Sequence, residues 1–453
     1  MRIAGRGWAR NRLTKSHQLN GLRRSYGAAL FQVSEFGIRH YGQGGRMKQR
    51  DIVPRLAARR KLQGSAGNQN LRGLSEALRA GTAHGPGAAA RLLAWFAKNA
   101  RDLPWRRTCD PYAIWVSEVM LQQTQVKTVL PYWERWMRAL PNLAALAKAR
   151  PQALHKLWEG LGYYTRVRNL QRAAQLVVAQ HGGQFPRDFE AVLALPGIGR
   201  YTAGAICSIA FNQARPILDG NVMRVLTRWH GIPGDPRARS VNACLWQIAE
   251  ELVLRAAEID LSARPLARAA RNVERPGRSC AQFNESLMEL GALVCTPRQP
   301  RCDVCPIAAD CIAYQQDRVN ELPGLTRRTQ VTPRRFVAFI AQRAGRFLVR
   351  QRPAGVVNAE LWEFPNLELA PGDSDLKRAA RSVLGVPAET IELLGIVKHS
   401  ITRYRITLEV YRVASRPGVA IPAAGGRWLG RSRMNQLAFA SAHKQILRRI
   451  GKR

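Results

Sequence analysis

The chain has 453 residues, enough for two or three domains, and carries Lys+Arg 71 against Asp+Glu 31, a formal net charge of +40. So large a cationic excess favours a polyanionic partner, because each phosphate neutralised releases counterions. No stretch reaches the roughly 20 apolar residues that span a bilayer, and the N-terminus lacks the apolar core of a secretory signal, so no membrane association is expected.

Residues 1–85 are Arg-rich, acid-poor and weakly periodic, and are expected to be a basic, disordered extension. They could be a DNA-tethering tail, an organelle transit peptide, or an over-long start with true initiation near Met47 or later; the last is favoured. From about Ala88 to Pro323 the pattern is helical. Ala89–Ala100 has apolar residues at helix spacing, and Asp110-Pro111 opens a second helix with Asp as cap and Pro at the first position. Thr124–Leu140 carries Val126, Val129, Leu130, Trp133, Trp136 and Met137 on one side. Leu154–Gly160 and Val167–His181 follow, and all these stripes read as core packing. Leu195-Pro196-Gly197-Ile198-Gly199 separates two helical runs, the second being Tyr201–Phe211. Glycines there allow a tight turn whose amides, with the next helix N-terminus, suit a DNA phosphate. Asp219 precedes a helix over Val222–Trp229, and in isolation a plain cap is the simpler reading. An Arg/Ala-rich stretch from about 256 to 279 is expected to be a surface insertion. Residues 321–335 form a linker. Beyond it Phe336–Ile340, Arg346–Arg350 and the alternating run Ile401–Val413 read as strands, with one helical stretch near Ser374–Leu384, giving a separate α+β domain over 336–453.

Four of the eight cysteines crowd into Cys295-x6-Cys302-x2-Cys305-x5-Cys311. Four thiolates in one short segment, with no nearby His, suit zinc or an iron–sulfur cubane, and spacing alone does not choose. A zinc ribbon usually has two C-x-x-C knuckles further apart, so the single C-x-x-C with flanking ligands favours the cubane. Arg298 and Arg301 on the same loop suit phosphate contact. The remaining cysteines sit singly and read as small buried residues.

The hairpin, the following aspartate and the four cysteines, in this order, resemble the endonuclease III superfamily of base-excision glycosylases. More narrowly, Leu103-Pro104-Trp105-Arg106, the run Trp115–Val126 around Glu118, and Gly160-Leu161-Gly162-Tyr163-Tyr164 are similar to the MutY family of adenine DNA glycosylases, over about residues 90–450. The resemblance implies a mainly α helix-hairpin-helix core over 86–320, a six-helix barrel plus an iron–sulfur domain with one 4Fe-4S cluster, followed by a smaller α+β Nudix-like domain. It implies that Glu118 protonates a flipped adenine and then activates water, that Asp219 stabilises the cationic sugar, and that Tyr201 and Asn221 complete the site. Trp105, Arg106, Leu121, Val126, Glu285 and Met288 would line the adenine pocket. Gln123, Thr124 and Tyr163 would insert around the lesion, and Pro196, Gly197 and Gly199 would hold backbone phosphate.

The chemistry fits these residue types. N-glycosidic cleavage passes through an oxocarbenium-like state and needs one protonated and one ionised carboxyl group. Glu118 lies among Val116, Val119, Met120 and Leu121, which should raise its pKa; Asp219 before a helix start should stay ionised. Family members that also cut the strand use a Lys after the hairpin to form a Schiff base, whereas this chain has Arg200-Tyr201, so a monofunctional glycosylase is expected. The helix around Leu376–Ser382 carries Lys and Arg where a working Nudix hydrolase needs carboxylates for Mg²⁺. The family's Phe-Ser-His lesion-sensing loop reads Ile401-Thr402-Arg403 here, so Thr402 keeps a hydroxyl and Arg403 brings a fixed cation that could touch lesion or phosphate. The expected partner is double-stranded DNA containing A:8-oxoguanine or A:G, bound by a monomer. Localisation is expected to be cytoplasmic and nucleoid-associated if bacterial, with a mitochondrial or nuclear address the alternative. Competing readings are an endonuclease III-like glycosylase/lyase acting on oxidised pyrimidines and a non-catalytic DNA-binding relative; the presence of both Glu118 and Asp219 speaks against the second.

Overall fold

The structure, a computed structural model, describes residues 87–267, 278–326, 330–401, 403–414, 421 and 425–450, with backbone alone over 260–267. The basic stretch 1–85 and Thr402 lie outside the described residues.

The helical part runs α1 (Gly87–Asn99), α2 (Pro111–Leu121), α3 (Val126–Ala139), α4 (Leu143–Lys148), α5 (Pro151–Trp158), α6 (Thr165–Gln180), α7 (Phe189–Leu193), α8 (Arg200–Phe211), α9 (Gly220–Trp229), α10 (Arg239–Ala267), α11 (Ser279–Leu293) and α12 (Ile312–Gln315). Helix α2 organises it. Asp110 caps the helix, its carboxylate accepting from the amides of Tyr112 (3.0 Å) and Ala113 (3.3 Å), and Pro111 takes the first position. Every residue from Tyr112 to Met120 is buried. A helix apolar on all sides belongs inside the fold. Trp115, Val116, Val119 and Met120 pack into one apolar cluster with Trp133, Trp136 and Leu170, while Ile114 joins a second with Val222, Leu226, Phe283 and Leu287. Helix α8 is shared in the same way: Ile206 and Cys207 face the first cluster, Ala205 and Ile209 the second.

The stretch expected to leave the pattern at Ala256 does not do so there. Helix α10 continues to Ala267, Ala256 is fully buried, and Ala257 and Ile259 pack on the second cluster. Alanine, leucine and arginine are strong helix formers, so a composition that looks loop-like in charge extends a helix. Ser279 and Cys280 are buried at the start of α11, and residues 268–277 lie outside the described set.

The C-terminal part is a sheet with helices on both faces. Its strands are β1 (Thr332–Arg343), β2 (Arg346–Gln351), β3 (Trp362–Glu363) and β4 (Asn366–Leu369), then α13 (Leu376–Leu384), β5 (Thr390–Ile401), β6 (Tyr404–Ala414), β7 (Arg427–Gly430), α14 (Arg431–Asn435) and α15 (Ser441–Arg449). The order is β3-β2-β1-β6-β5, with β4 on β1 and β7 on β2. β1 and β6 are parallel, with Phe336 opposite Leu408, and the other pairs are antiparallel. Period-two alternation sends Val337, Phe339 and Ala341 toward α13, and Ala338 and Ile340 toward α15. The run expected as one strand over Ile401–Val413 is instead the turn and second arm of a hairpin: β5 ends at Ile401 and β6 begins at Tyr404. The linker expected to reach 335 gives way to strand at Thr332.

The two parts are joined by apolar and ionic contacts. Leu361, Ala438 and Ala440 of the sheet part are buried in the cluster that holds Trp133 and Leu170. Glu159, just after α5, is buried; it accepts from the Phe439 amide (2.9 Å), Lys156 Nζ (2.9 Å) and Lys444 Nζ. Lys156 Nζ also donates to the Leu437 carbonyl at 3.0 Å. Burial pushes the Glu159 carboxyl up, but the hydrogen bonds from Lys444 and Lys156 outweigh it and hold it below the usual range. The clasp is therefore complete above the ordinary carboxylate pKa and is lost as pH falls through the depressed value. Glu159→Ala should cost about 1–3 kcal/mol, since the Phe439 amide loses its acceptor. Limited proteolysis of the linker before Thr332 should be faster in the variant, and faster in both proteins at low pH.

Candidate active site

Glu118 sits one turn from the end of α2, where the two apolar clusters part and leave a cleft of about 860 Å³. Its Oε2 accepts from Tyr201 Oη at 2.7 Å, and the same hydroxyl lies 3.4 Å from Met288 Sδ. Burial raises the Glu118 carboxyl to about 7, helped by Asp219 and Glu285 and opposed by the Tyr201 hydrogen bond and Arg106. Such a group is half protonated at neutral pH, the condition a general acid requires.

Asp219 caps α9, accepting from the Val222 amide at 2.7 Å and from Asn221 Nδ2 at 3.1 Å. Both acids border the same cleft. Burial pushes the Asp219 carboxyl above its ordinary value, against the pull of Val222, Asn221 and Arg224, so the helix start does not by itself set its titration. The two acids nonetheless differ in surroundings. Glu118 has one hydroxyl donor, whereas Asp219 has a backbone amide and a side-chain amide aimed at its oxygens.

Helix α9 also reaches the cysteine loop. Arg224 Nη2 donates to Asn221 Oδ1 (2.9 Å) and the Gly291 carbonyl (2.8 Å), and its Nε to the Cys295 carbonyl (2.8 Å). Arg228 donates to Cys295 Sγ (3.4 Å), the Thr296 carbonyl (2.7 Å) and the Leu322 carbonyl (2.8 Å). Gly291 lets α11 approach α9: a Cβ there would lie 2.7 Å from Asn221 Cβ and 3.2 Å from its backbone.

A partly buried ion network forms another part of the cleft lining. Glu289 accepts from the Arg101 amide (2.9 Å), Arg101 Nε (2.8 Å) and Arg106 Nη2 (2.9 Å), and Arg106 Nε lies 3.7 Å from Glu285. Burial works against the Glu289 carboxylate, but the hydrogen bonds from Arg101 and Arg106 take it down to about 2. Glu285 is raised by burial. Trp105, Leu121 and Val126 supply apolar surface, so all the residues expected at the adenine pocket do border the cleft. Gln123 and Thr124 are at its edge. Sequence reasoning missed Glu289, Arg101, Arg224 and Arg228. A usable signal was present for Glu289: it lies one turn after Glu285, and the two are the only charged residues of that helix.

Tyr163 lies outside the cleft, 49% exposed, in a left-handed conformation (φ 47°). Pro196 and Gly197 stand against α6, Gly197 with φ 79°, and Gly199 is the residue before α8. Arg403 stacks on Tyr404 with its guanidinium carbon 5.2 Å from the ring centroid and donates to Tyr404 Oη at 3.0 Å.

Cys295, Cys302, Cys305 and Cys311 border one small cavity beside α9. Among the described residues no three Cys, His, Asp or Glu side chains converge closely enough for a single ion. The donor set fits a larger sulfur-ligated group: Arg228 reaches Cys295 Sγ, and the amides of Ile307 and of Tyr314 and Ala313 hydrogen-bond Cys305 and Cys311, which disperses charge on thiolate ligands.

Known families agree with this arrangement. Residues 116–251 match the HhH-GPD superfamily of base excision DNA repair proteins, 295–311 the iron-sulfur binding domain of endonuclease III, and 336–449 the NUDIX domain. The molecule is thus a helix-hairpin-helix DNA glycosylase that carries an iron–sulfur loop and a Nudix-like domain. It is 37% identical over 417 residues to the adenine DNA glycosylase of Mus musculus, covering 79% of this chain and 77% of that one, and 35% identical over 419 residues to that of Homo sapiens, covering 79% and 72%. A thermostable thymine-DNA glycosylase of known structure is 28% identical over 50% of this chain and 95% of its own, with a TM-score of 0.42. The chain belongs to the adenine DNA glycosylase family, enzymes of base excision repair.

Gly291→Ala should push the start of α9, with Asn221 and the Asp219 cap, away from α11. Single-turnover adenine release is expected to fall by about 10- to 100-fold, as ångström-scale misplacement does in other sites. The iron–sulfur absorbance should persist in the variant.

Proposed function

We propose that the chain is a monofunctional adenine DNA glycosylase, acting as a monomer on adenine opposite 8-oxoguanine and, more weakly, opposite guanine. The observation that carries the chemistry is the pairing of two differently held acids across one cleft. With Tyr201 Oη on Oε2, the Glu118 proton occupies Oε1, free to pass to a ring nitrogen of an extruded adenine. Protonation makes the base a better leaving group. As the C1′–N9 bond breaks, positive charge on the sugar develops beside Asp219, whose donors hold its oxygens in place. Glu118, now ionised, takes a proton from water as the oxygen bonds to C1′. The apolar lining of Trp105, Leu121 and Val126 excludes bulk water from the base.

Tyr201 occupies the position where a lyase carries its amine. Lys127 borders the cleft but is exposed at the start of α3, on the side of Gln123 and Thr124. Base release therefore leaves an abasic strand intact. Cys295, Cys302, Cys305 and Cys311 would hold one 4Fe-4S cluster, which would tie down the loop bearing Arg298 and Arg301 and brace α9. The Nudix-like domain reads DNA: α13 carries Lys377, Arg378 and Arg381 and no carboxylate, so it cannot hold Mg²⁺ in the manner of a hydrolase. Its β5–β6 hairpin presents Arg403 to the lesion strand.

On duplexes with adenine opposite 8-oxoguanine, guanine, cytosine or thymine, single-turnover release should be fast for the first, slower for the second and negligible for the others; equal rates on all four refute the specificity. Glu118→Gln should abolish release and retain mismatch binding. Because the acid form is the active one, release should decline as pH rises through about 7. Borohydride should trap little protein on DNA; efficient trapping would favour the lyase reading. Cys302→Ser should lose the iron–sulfur visible absorbance and weaken DNA binding, whereas a colourless wild-type protein that holds only zinc would refute the cluster.

A further inference from the structure

Two turns carry the side chains assigned above to probing the duplex, and both are conformationally costly. Gln123 has φ 57° and Tyr163 has φ 47°. Left-handed backbone is uncommon for residues other than glycine and persists only where the surroundings over-determine it. Local bonds hold each turn only in part: in the first, directly after α2, the Thr124 amide donates to the Leu121 carbonyl (3.1 Å) and its Oγ1 to that of Gln122 (3.4 Å), and in the second Trp158 Nε1 donates to the Gly162 carbonyl (3.0 Å).

One guanidinium reaches both. Arg166, in the first turn of α6, donates through Nη1 to the carbonyls of Val119 (2.7 Å), Met120 (3.1 Å) and Gln122 (2.7 Å), at the C-terminal end of α2 where carbonyls lack helical partners. Through Nη2 it donates to Leu161 (3.0 Å) and Gly162 (3.1 Å). Its charge sits at the negative end of α2, and no carboxylate accepts from it among these contacts. Its guanidinium carbon is 5.2 Å from the Trp158 ring centroid and 5.7 Å from that of Tyr163. The planar fork is what permits this: Nη1 serves one turn and Nη2 the other, a division an ammonium group cannot make.

We propose that Arg166 is the positioning residue for both probing elements, holding the Gln123 turn and the Tyr163 turn at a fixed separation so that the two side chains enter the base stack together. This rests on the assignment of Gln123 and Tyr163 as the inserted residues. The same contact binds the wedge to the end of the helix that carries Glu118, so insertion and presentation of the acid share one rigid unit.

The test is a double-mutant cycle in the full-length, cluster-loaded enzyme, read by the fluorescence of 2-aminopurine substituted for the target adenine, which rises when the base leaves the stack. The variants are Arg166→Lys, Tyr163→Ala, Gln123→Ala and Arg166→Lys with Tyr163→Ala. Arg166→Lys keeps the cation and can serve one turn but not both. Arg166→Lys and Tyr163→Ala are each expected to lower the flipping amplitude by about threefold or more, and the double variant to be no worse than the poorer single one. Amide exchange should rise together at 122–124 and 161–163, with the rest of the core unchanged. Multiplying effects in the double variant, or wild-type amplitude in Arg166→Lys, would overturn the proposal. So would global loss of amide protection and of iron–sulfur absorbance in Arg166→Lys, which would mark Arg166 as a fold residue. If Tyr163→Ala and Gln123→Ala both flip the base normally, the insertion reading itself fails, an outcome distinct from failure of the tie.

Discussion

The structure depends on burying one carboxyl group in a helix that has no polar side. Helix α2 is enclosed by two apolar clusters, and Glu118 is the residue at which they separate. Removing a carboxylate from water is expensive, so the group answers by holding its proton to higher pH. The surrounding architecture is arranged around that choice. Tyr201 satisfies one oxygen, Asp219 borders the same cleft with its own donors, and Arg101 and Arg106 are committed to Glu289 and not to Glu118. Had the neighbouring cations paired with Glu118 in place of Glu289, it would be an ordinary anion and a poor acid.

Much of this was legible from local sequence, where the physics is local. Asp110-Pro111 and Asp219-Gly220 announce helix starts because a short acidic side chain can reach amides two and three residues on, and the structure shows both caps. The cysteine spacing announces a sulfur-lined cavity for the same reason. The cleft residues were placed by resemblance to a family, and the geometry brings Glu118, Asp219, Tyr201, Asn221, Trp105, Arg106, Leu121, Val126, Glu285 and Met288 to one cavity.

What was not legible is what depends on distant partners. Nothing near Arg224 in sequence says that it bridges Asn221 to Cys295, 71 residues away, and nothing near Arg166 says that it reaches the end of α2. Arginines in a chain with so many of them look like a uniform basic surface, so composition hides those that point inward. The continuation of α10 past Ala256 was hidden in the same way, since Ala and Arg read as interruption when charge is weighed above helix propensity. The β5–β6 turn lacks Gly, Pro, Asn or Asp, which is why the hairpin read as a single strand.

The junction between the two parts has a bearing on how a mispair is found. With Leu361, Ala438 and Ala440 sealed into the helical core and Glu159 clasped from both sides, the two parts are locked together by buried contacts of the chain itself. Where two parts are locked together in this way, a duplex that meets them must supply the bending and unstacking itself, and those cost least at weakly stacked steps.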